Sequence, residues 1–459
     1  MILAQAVVLS RVFFEDEHED YAMTESRKLG YRETIQKVFY DKYRCSGLIL
    51  QFARISGSLD PDMLRQALSL LQQRHPVLRA RFREDSSAYY FDVEDFNQLP
   101  PELRLAAVPL KVIERTDYEH CLRLGEEGAL RSFDPADKYI WRIVQVRDNN
   151  HSDLVFFIHH AISDGLSTTR FVHDIMHLCG ILAERKDPLP EVQTLPFLPC
   201  TDAMLVRTPP AETAPAEEEG DVSHWRFATH VPIEQRKVRT FFRQIEKDDA
   251  VRFQAQCKQQ GVSPAVAFTA AILRAAAHWH DSPLRLCLSS GTNLRGRCSP
   301  EISLDHFGCF ITMTRAAYTL LPGESLWDCA RRCQKTLDTA AAVQQRQGFL
   351  PRAFHKAFVA TTMAQNLADN EKQGIFAGGI CYSNLGVLTF PERYGPFLLT
   401  DIHSLTTEVS GFYFLYFNTR MLHGRIFCDF AYTEPLVSRQ KAEAIAQALV
   451  DTIQREGLS

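Results

Sequence analysis

The stretch FFIHHAISDG, residues 156–165, places two adjacent histidines at the end of an apolar segment. Residues 154–158, LVFFI, are continuously apolar, which is typical of a strand buried on both faces. Asp164 and Gly165 follow the histidines in a short turn. The pattern HHxxxDG is expected by chance on the order of once per thousand chains of this length and composition, so it is informative before any relative is considered.

Three interpretations of the histidine pair are open. The first is a core histidine that is hydrogen-bonded to the backbone. The second is a metal site, in which His173 and His177 of HDIMH join His159, His160 and Asp164. Because adjacent strand residues point to opposite faces, His159 and His160 do not readily share one metal. HDIMH also has Asp where a zinc protease has Glu, so we expect no metal ion.

The third interpretation is general-base catalysis. An imidazole near its reference pKa of about 6.5 accepts a proton at neutral pH. If the strand ends at a cavity, one histidine faces that cavity and the other faces the packing side. Gly165 permits close backbone approach or a positive φ. Asp164 either orients the catalytic ring or pairs with a distant arginine and holds the turn, and both roles stay open.

The composition is that of a soluble globular protein. Hydrophobic residues make up 45% and charged residues 23% of 459 residues, and the net charge of -5 lacks the basic surplus of a nucleic-acid-binding protein. The N-terminal MILAQAVVL has no basic flank before it, and no stretch reaches the roughly 18 apolar residues of a membrane span. We therefore expect a cytoplasmic protein without a transmembrane segment. Twelve cysteines without a CxxC pair are expected to be small buried hydrophobes.

The first half of the chain mixes helices and strands. Asp60 and Pro61 suit the start of a helix that ends at Pro76, and VLRARF after it predicts a strand. Residues 139–146 and 154–158 predict a hairpin, because RDNNHSD between them is turn chemistry.

A helix is expected after the HHxxxDG turn. Apolar residues at helical spacing from Phe171 to Leu182 predict it, and Ser163 or Asp164 is its cap.

The second half repeats the mixture. Ser263 caps an Ala-rich buried helix, residues 413–418 and 424–432 predict a strand pair that turns at TRMLH, and a closing helix runs from Ser438 to about Ile453.

The Pro-, Ala- and Glu-rich residues 186–221 predict a linker between two halves. We therefore expect an N-terminal lobe over residues 1–185 and a C-terminal lobe over residues 222–459. Helices and strands alternate in both, which predicts an α/β (α+β) fold of two similar lobes, each built on a mixed sheet.

The HHAISDG segment resembles the HHxxxDG signature of the chloramphenicol-acetyltransferase-like superfamily. That group includes condensation domains, alcohol acetyltransferases, wax-ester synthases and polyketide-associated acyltransferases. ISGSLDPDMLRQALSLLQQRHPVLRARF resembles the first helix and the RHPxLR strand of the family. GTNLRGR followed by FGCFITMTR resembles the region after the linker, and CYSNLGVL resembles the S/T-N-x-G strand of the acetyltransferase branch. The similarity covers nearly the whole chain.

The resemblance implies a role for each residue of the motif. His160 would be the general base and His159 would be mainly structural. Asp164, counted with His160 among the catalytic residues, would point away from the reaction and pair with an arginine, for which Arg295 is the candidate. Gly165 would support the turn.

The resemblance also implies the oxyanion donor and the architecture. Ser383 or Asn384 would donate a hydrogen bond to the oxyanion. The fold would be the two-lobed chloramphenicol-acetyltransferase-like one, with His160 midway along a central channel that donor and acceptor enter from opposite ends.

The implied reaction is acyl transfer from a thioester to a hydroxyl acceptor, which forms an ester. The donor would be acyl-CoA or an acyl carrier protein acting as co-substrate, with no bound cofactor, in lipid, polyketide or other natural-product biosynthesis. The DFGWG motif of plant-type BAHD acyltransferases is absent and the condensation-domain motifs are matched in part, which favours a free-standing acyltransferase. The alternatives are a free-standing condensation enzyme that forms an amide and a non-catalytic carrier-binding homologue.

The basic segment RKVRTFFR has two interpretations. Arg236, Lys237, Arg239 and Arg243 either meet phosphate or an acidic carrier protein, or form a solvated charged face.

Overall fold

The structure of the chain is a computed structural model. It describes residues 23–133, 137–184, 191–206, 221–277, 284–351 and 353–458. Most of the predicted linker, residues 186–190 and 207–220, and the N-terminal residues 1–22 lie outside the described residues.

The helices and strands alternate along the whole chain. The strands are β1 (Met23–Lys28), β2 (Leu48–Ser56), β3 (Ala80–Glu84), β4 (Tyr89–Glu94), β5 (Leu110–Glu114), β6 (Trp141–Arg147), β7 (His151–His159), β8 (Lys237–Ile245), β9 (Leu284–Asn293), β10 (Ile311–Leu320), β11 (Gly379–Leu388), β12 (Arg393–Tyr394), β13 (Phe397–Thr407), β14 (Tyr413–Leu422) and β15 (Arg425–Glu434). The helices are α1 (Tyr31–Lys42), α2 (Pro61–Arg74), α3 (Pro101–Ala106), α4 (His120–Gly128), α5 (Gly165–Glu184), α6 (Thr201–Met204), α7 (Lys247–Gln259), α8 (Pro264–Ala277), α9 (Leu326–Arg346), α10 (Lys356–Gln373) and α11 (Arg439–Glu456).

The first large sheet has the strand order β12-β13-β2-β7-β6-β5. The predicted hairpin is confirmed, since β6 and β7 are antiparallel neighbours. Strand β7 is central and buried from Ser152 to His159, as its apolar sequence predicts. The pairing of β5 with β6 is parallel, which makes the sheet mixed.

The first sheet also contains strands from the far end of the chain. β13 pairs antiparallel with β2, and Thr407 Oγ1 donates to the carbonyl of Leu48, 359 residues away. Residues 393–407 therefore cross from the second half into the first sheet, which differs from a division that assigns all of 222–459 to one lobe. A pairing between segments this far apart along the chain leaves no sign in the local sequence pattern.

The second large sheet has the order β10-β9-β11-β14-β15-β8. β11 is parallel to both of its neighbours, β9 and β14, so this sheet is mixed as well. β14 and β15 extend through the predicted TRMLH turn, and the chain reverses at His423 and Gly424, both of which have positive φ. Helices α8, α9 and α11 pack together in the core of this lobe.

Local capping follows the sequence closely. The Asp60 side chain accepts hydrogen bonds from the amides of Asp62 and Met63 at the start of α2. The strand predicted as VLRARF begins later, at Ala80, because Pro76 starts a short 3-10 turn. Ser438 caps the closing helix, which continues to Glu456.

The fold class predicted from the sequence is confirmed: two lobes, each built on a mixed sheet with helices. All twelve cysteines are free, and all but Cys200 and Cys381 are buried. Among the helices of the described ranges, none combines the length and the apolar character needed to span a bilayer.

Candidate active site

His160 follows the last residue of β7 and lines a cavity between the two lobes. The cavity has a volume of about 230 Å³. The first lobe contributes Arg32 of α1 and Thr406 of β13, and the second sheet contributes Cys381 of β11 and Tyr413 of β14. The imidazole of His160 therefore lies at the junction of the lobes, directly after the end of the central strand β7.

The hydrogen bonds of His160 select one tautomer. Nδ1 lies 2.8 Å from the carbonyl oxygen of Ser163, which can only accept, so Nδ1 carries the proton in the neutral ring. Nε2 then holds a free lone pair. Burial, followed by the charge of Arg32, lowers the pKa of His160 to about 4 against the smaller opposing effects of Asp164 and Ser163. The ring is therefore a neutral base at pH 7.

This lowered pKa predicts the pH dependence of the acyl transfer that the resemblance implies for His160. We expect kcat/KM for that reaction to be constant from about pH 8 to about pH 5.5, because the free ring stays neutral there. It should fall by half near the His160 pKa of about 4, with tryptophan fluorescence showing that the chain is still folded. A midpoint near the ordinary value of about 6.5 would contradict a buried base.

His159 lies on the other side of the strand end and is enclosed. Its Nδ1 accepts a hydrogen bond from the amide of Ala161 at 3.0 Å. The ring packs against Tyr40 and Phe82, with centroids 4.6 Å and 4.8 Å away. Burial, together with nearby Lys37, holds its pKa well below the usual value. The two histidines thus face different surroundings, as strand geometry requires.

The residues considered for a metal site have other partners. His173 Nδ1 is 2.7 Å from the hydroxyl of Tyr394, and its ring stacks on Phe390. His177 is exposed. Within the ranges described above, no cluster of three or more histidine, cysteine or acidic side chains is arranged to hold a metal ion.

Asp164 and Arg295 form a buried, two-pronged ion pair between the lobes. Arg295 Nη1 donates to Asp164 Oδ2 at 2.9 Å and Nη2 donates to Oδ1 at 3.1 Å. Both side chains are almost fully buried. Burial alone would raise the pKa of Asp164, but Arg295 and the amides of Ser167 and Phe310 hold it below its usual value. Asp164 therefore holds the turn and does not hydrogen-bond to the ring of His160.

The surroundings of this pair include residues to which the sequence did not point. The Ser167 amide donates to Asp164 Oδ1 at 2.8 Å, which caps α5, and the Phe310 amide donates to Oδ2 at 2.9 Å. Arg295 Nη2 also donates to Ser167 Oγ at 2.6 Å. Arg295 lies over the Phe310 ring at 4.6 Å. The sequence indication for Phe310 was the segment FGCF, which resembles the family. Side-chain identities in that segment do not predict a role for a backbone amide.

Gly165 makes a close approach between the lobes, while its φ lies outside the left-handed region. A Cβ atom at this position would lie 2.8 Å from Cδ2 of Leu385. The contact therefore joins the HHxxxDG turn to the SNLG segment of β11.

The two oxyanion candidates occupy opposite faces of β11. Cys381 lines the His160 cavity, and Ser383 shares its face of β11 because the register is regular from Cys381 to Asn384. Asn384 lies on the other face, where its Oδ1 accepts from the Gly386 amide and the Thr419 hydroxyl. Neither side chain lines the cavity itself. Of the two candidates, Ser383 is therefore the one on the same side of β11 as the His160 cavity.

A second, polar cleft of about 720 Å³ lies between α4 of the first lobe and β8 of the second. Strand β13 contributes His403 to this cleft and Thr406 to the His160 cavity, which places the two spaces roughly 10 Å apart along the strand. Leu405 and Tyr416 belong to a small buried cluster between them, packed against Phe242.

The basic segment around β8 fits neither of its two interpretations as a whole. Arg236 is buried and donates to the carbonyls of Val409 and Ser410. Arg239 pairs with Glu126 and Glu434 at the cleft between the lobes. Lys237 is exposed, and Arg243 lines the polar cleft.

Comparison with known proteins agrees with this fold and this turn. Residues 49–198, which include HHxxxDG, match the family model described as Condensation domain. The match and the two-lobed architecture confirm the predicted resemblance to condensation domains and chloramphenicol-acetyltransferase-like acyltransferases.

Three individual proteins illustrate the similarity. The chain is 30% identical over 174 residues, 38% of its length and 1% of the relative's, to a nonribosomal peptide synthetase from Curvularia clavata. Trichothecene 15-O-acetyltransferase from Fusarium sporotrichioides has a TM-score of 0.67 at 12% identity, with 93% of this chain and 94% of that one covered. Polyketide synthase associated protein 5 from Mycobacterium tuberculosis has a TM-score of 0.63 at 15% identity, with coverage of 94% and 98%. The chain spans 1% to 6% of the length of the curated relatives it matches.

Proposed function

We propose that this protein transfers an acyl group from a thioester to a hydroxyl group and forms an ester. The observation that carries the proposal is His160, a buried neutral imidazole whose Nδ1 is held by the Ser163 carbonyl beside a cavity at the junction of the lobes. Such a ring presents an unprotonated Nε2 to whatever occupies the cavity.

The reaction needs no covalent acyl-enzyme. His160 Nε2 takes the proton of the acceptor hydroxyl while the oxygen attacks the thioester carbonyl. The tetrahedral intermediate collapses and the carbon–sulfur bond breaks. The imidazolium then donates its proton to the leaving thiolate. Holding both substrates between the lobes supplies much of the rate by proximity.

The oxyanion needs a hydrogen-bond donor near the end of β7. We assign this role to the Ser383 hydroxyl, because Ser383 shares a face of β11 with the cavity residue Cys381. The donor in the proposal is acyl-CoA or a phosphopantetheinyl carrier protein, and the product belongs to lipid, polyketide or other natural-product biosynthesis.

Amide formation is the second candidate. The matched family model is the condensation domain, and the relative from Curvularia clavata is a nonribosomal peptide synthetase. An amine acceptor would use the same base, so the distinction lies in the acceptor that the site accommodates.

The test is a matrix of donors and acceptors. Acyl-CoAs and acyl carrier proteins are each incubated with alcohols, with matched amines and with no acceptor, and free thiol and product mass are followed. We expect thiol release that depends on the alcohol and an ester product of matching mass. Amide product alone would select the second candidate, and release from carrier proteins alone would remove CoA as donor. The absence of acceptor-dependent release from every thioester would contradict acyl transfer.

A further inference from the structure

Two polar side chains of α1, Arg32 and Gln36, line the His160 cavity. They are four residues apart, so they lie on the same face of the helix. The other lining residues are mostly apolar. They include Ile35, Phe39, Met313, Met363, Leu367 and Phe412.

Arg32 differs from Arg27 and Lys37, two other cations near it on the chain. Arg27 pairs with Glu33 at 2.7 Å, and Lys37 pairs with Asp41. Arg32 makes no ion pair or hydrogen bond with any residue in the described part of the chain, and its Nε is buried without a partner. A buried guanidinium nitrogen without an acceptor is costly, and here it borders the cavity of the proposed base.

Gln36 supplies an independent observation. The residue is 5% exposed and lines the same cavity, yet its side chain has no hydrogen-bond partner among the described residues. Its amide atoms are not among the enclosed side-chain atoms without a partner, so they are open to the space of the cavity. The cavity thus holds a cation and an amide donor that both lack an acceptor.

The acidic groups nearest to the cavity are already in use. Asp164 pairs with Arg295. Glu33 pairs with Arg27 and accepts from the Gly30 amide. Glu408, buried beside Tyr416, accepts hydrogen bonds from Ser410 and the Phe412 amide. None of these carboxylates accepts a hydrogen bond from Arg32 or Gln36. A bound ligand with an anionic oxygen would supply that acceptor.

We propose that Arg32 and Gln36 bind a carboxylate of the substrate, so that the group beside His160 is an apolar chain that ends in a carboxylate. One guanidinium and one amide match a singly charged, planar carboxylate. A phosphate dianion would leave excess charge in an apolar cavity. The inference rests on the proposed acyl transfer and specifies its substrate class. The carboxylate belongs either to a hydroxy acid acceptor or to a dicarboxylic acyl donor.

Binding alone provides the first measurement. Calorimetric titration of the full chain uses ω-hydroxyoctanoate and its methyl ester as a matched pair. We expect the acid to bind roughly 10- to 100-fold more tightly than the ester, and Arg32→Met to remove the difference, whereas Arg32→Lys restores part of it. Lys42→Met, which removes an exposed cation from the same helix, should leave both affinities unchanged.

A parallel arm uses the CoA monothioester of a dicarboxylic acid and its neutral methyl ester, which separates donor from acceptor. In turnover, Arg32→Met should raise KM for the carboxylate-bearing substrate and lower the ratio of its kcat/KM to that of the neutral one. The ratio is the readout because Arg32 also acts on the pKa of His160, and that effect is shared by both substrates. Equal binding of acid and ester by the wild type in both arms, or a preference that survives Arg32→Met, would overturn the inference. Acyl transfer with neutral substrates would then still stand. If the wild type binds the acid but releases no thiol from any thioester, the proposed function is refuted and the carboxylate site remains.

Discussion

Replacing His160 with alanine lowers kcat/KM for acyl transfer by about 10²–10⁴-fold, the usual contribution of a positioned general base. The ring is buried and its Nδ1 is tied to the Ser163 carbonyl, so no other side chain takes over its position without a rearrangement. Asp164 stays paired with Arg295 in the variant, which keeps the turn in place. Initial rates of thiol release, with and without acceptor, measure the effect.

Added imidazole provides the control for this prediction. The cavity of about 230 Å³, enlarged by the lost ring, is large enough for free imidazole, which should restore part of the activity of His160→Ala. His160→Phe fills the same space with a ring that cannot take a proton and should not be rescued. Full activity of His160→Ala under saturating substrates would exclude His160 as the base. Full biological function of a His160→Ala variant that has lost acyl transfer would instead revive the non-catalytic carrier-binding alternative.

Breaking the Asp164–Arg295 pair gives the largest expected loss of stability. Asp164→Ala or Arg295→Ala leaves a buried charge without its partner, which lowers the free energy of unfolding by about 3–5 kcal/mol. Urea denaturation followed by circular dichroism measures the loss. The double variant should lose less than the sum of the two single variants, because neither charge remains.

An exposed pair serves as the matched control. Arg123 contacts both carboxylate oxygens of Asp117, as Arg295 does with Asp164, but both side chains are about half exposed, at 49% and 47%. Arg123→Ala should therefore lower the free energy of unfolding much less than either variant of the buried pair. If both pairs lower the free energy of unfolding equally when broken, burial between the lobes does not increase the contribution of Asp164–Arg295.

The contribution of Asp164 also has a defined pH range. Its pKa is lowered in the folded chain, so its stabilisation is complete above the ordinary aspartate value of about 3.9 and is lost as the pH falls through the folded value. The difference in stability between wild type and Asp164→Ala should accordingly be constant at neutral pH.

Local features of the site followed from the sequence because they depend on near neighbours. The apolar run before His159 predicted a strand buried on both faces, and β7 is one. The preference of serine and aspartate for helix starts predicted Ser163 or Asp164 as the cap of α5, and Asp164 is the cap. Arg295, by contrast, was reached only through the likeness of GTNLRGR to a known family, since 131 residues separate it from Asp164.

For other parts of the site, the sequence did not determine which residue has which role. Ser167 and the Phe310 amide hold Asp164, but hydroxyls and amides occur throughout the chain. Arg32 and Gln36 read as ordinary polar positions of an amphipathic helix until α1 is placed against the second lobe. Ser383 and Asn384 were equal candidates until the pleat of β11 put them on opposite faces.

By itself, the sequence determined several of the helices and strands, the buried strand that ends in two histidines, and the turn that follows it. Periodicity, capping and turn preferences act over a few residues, so they can be predicted from the local sequence. Only the tertiary structure decided that β13 joins the first sheet, that Arg295 pairs with Asp164, and that Arg32 borders the cavity of His160. These contacts join segments far apart in the chain, and their free energy comes from burial and charge pairing between surfaces that meet only after folding.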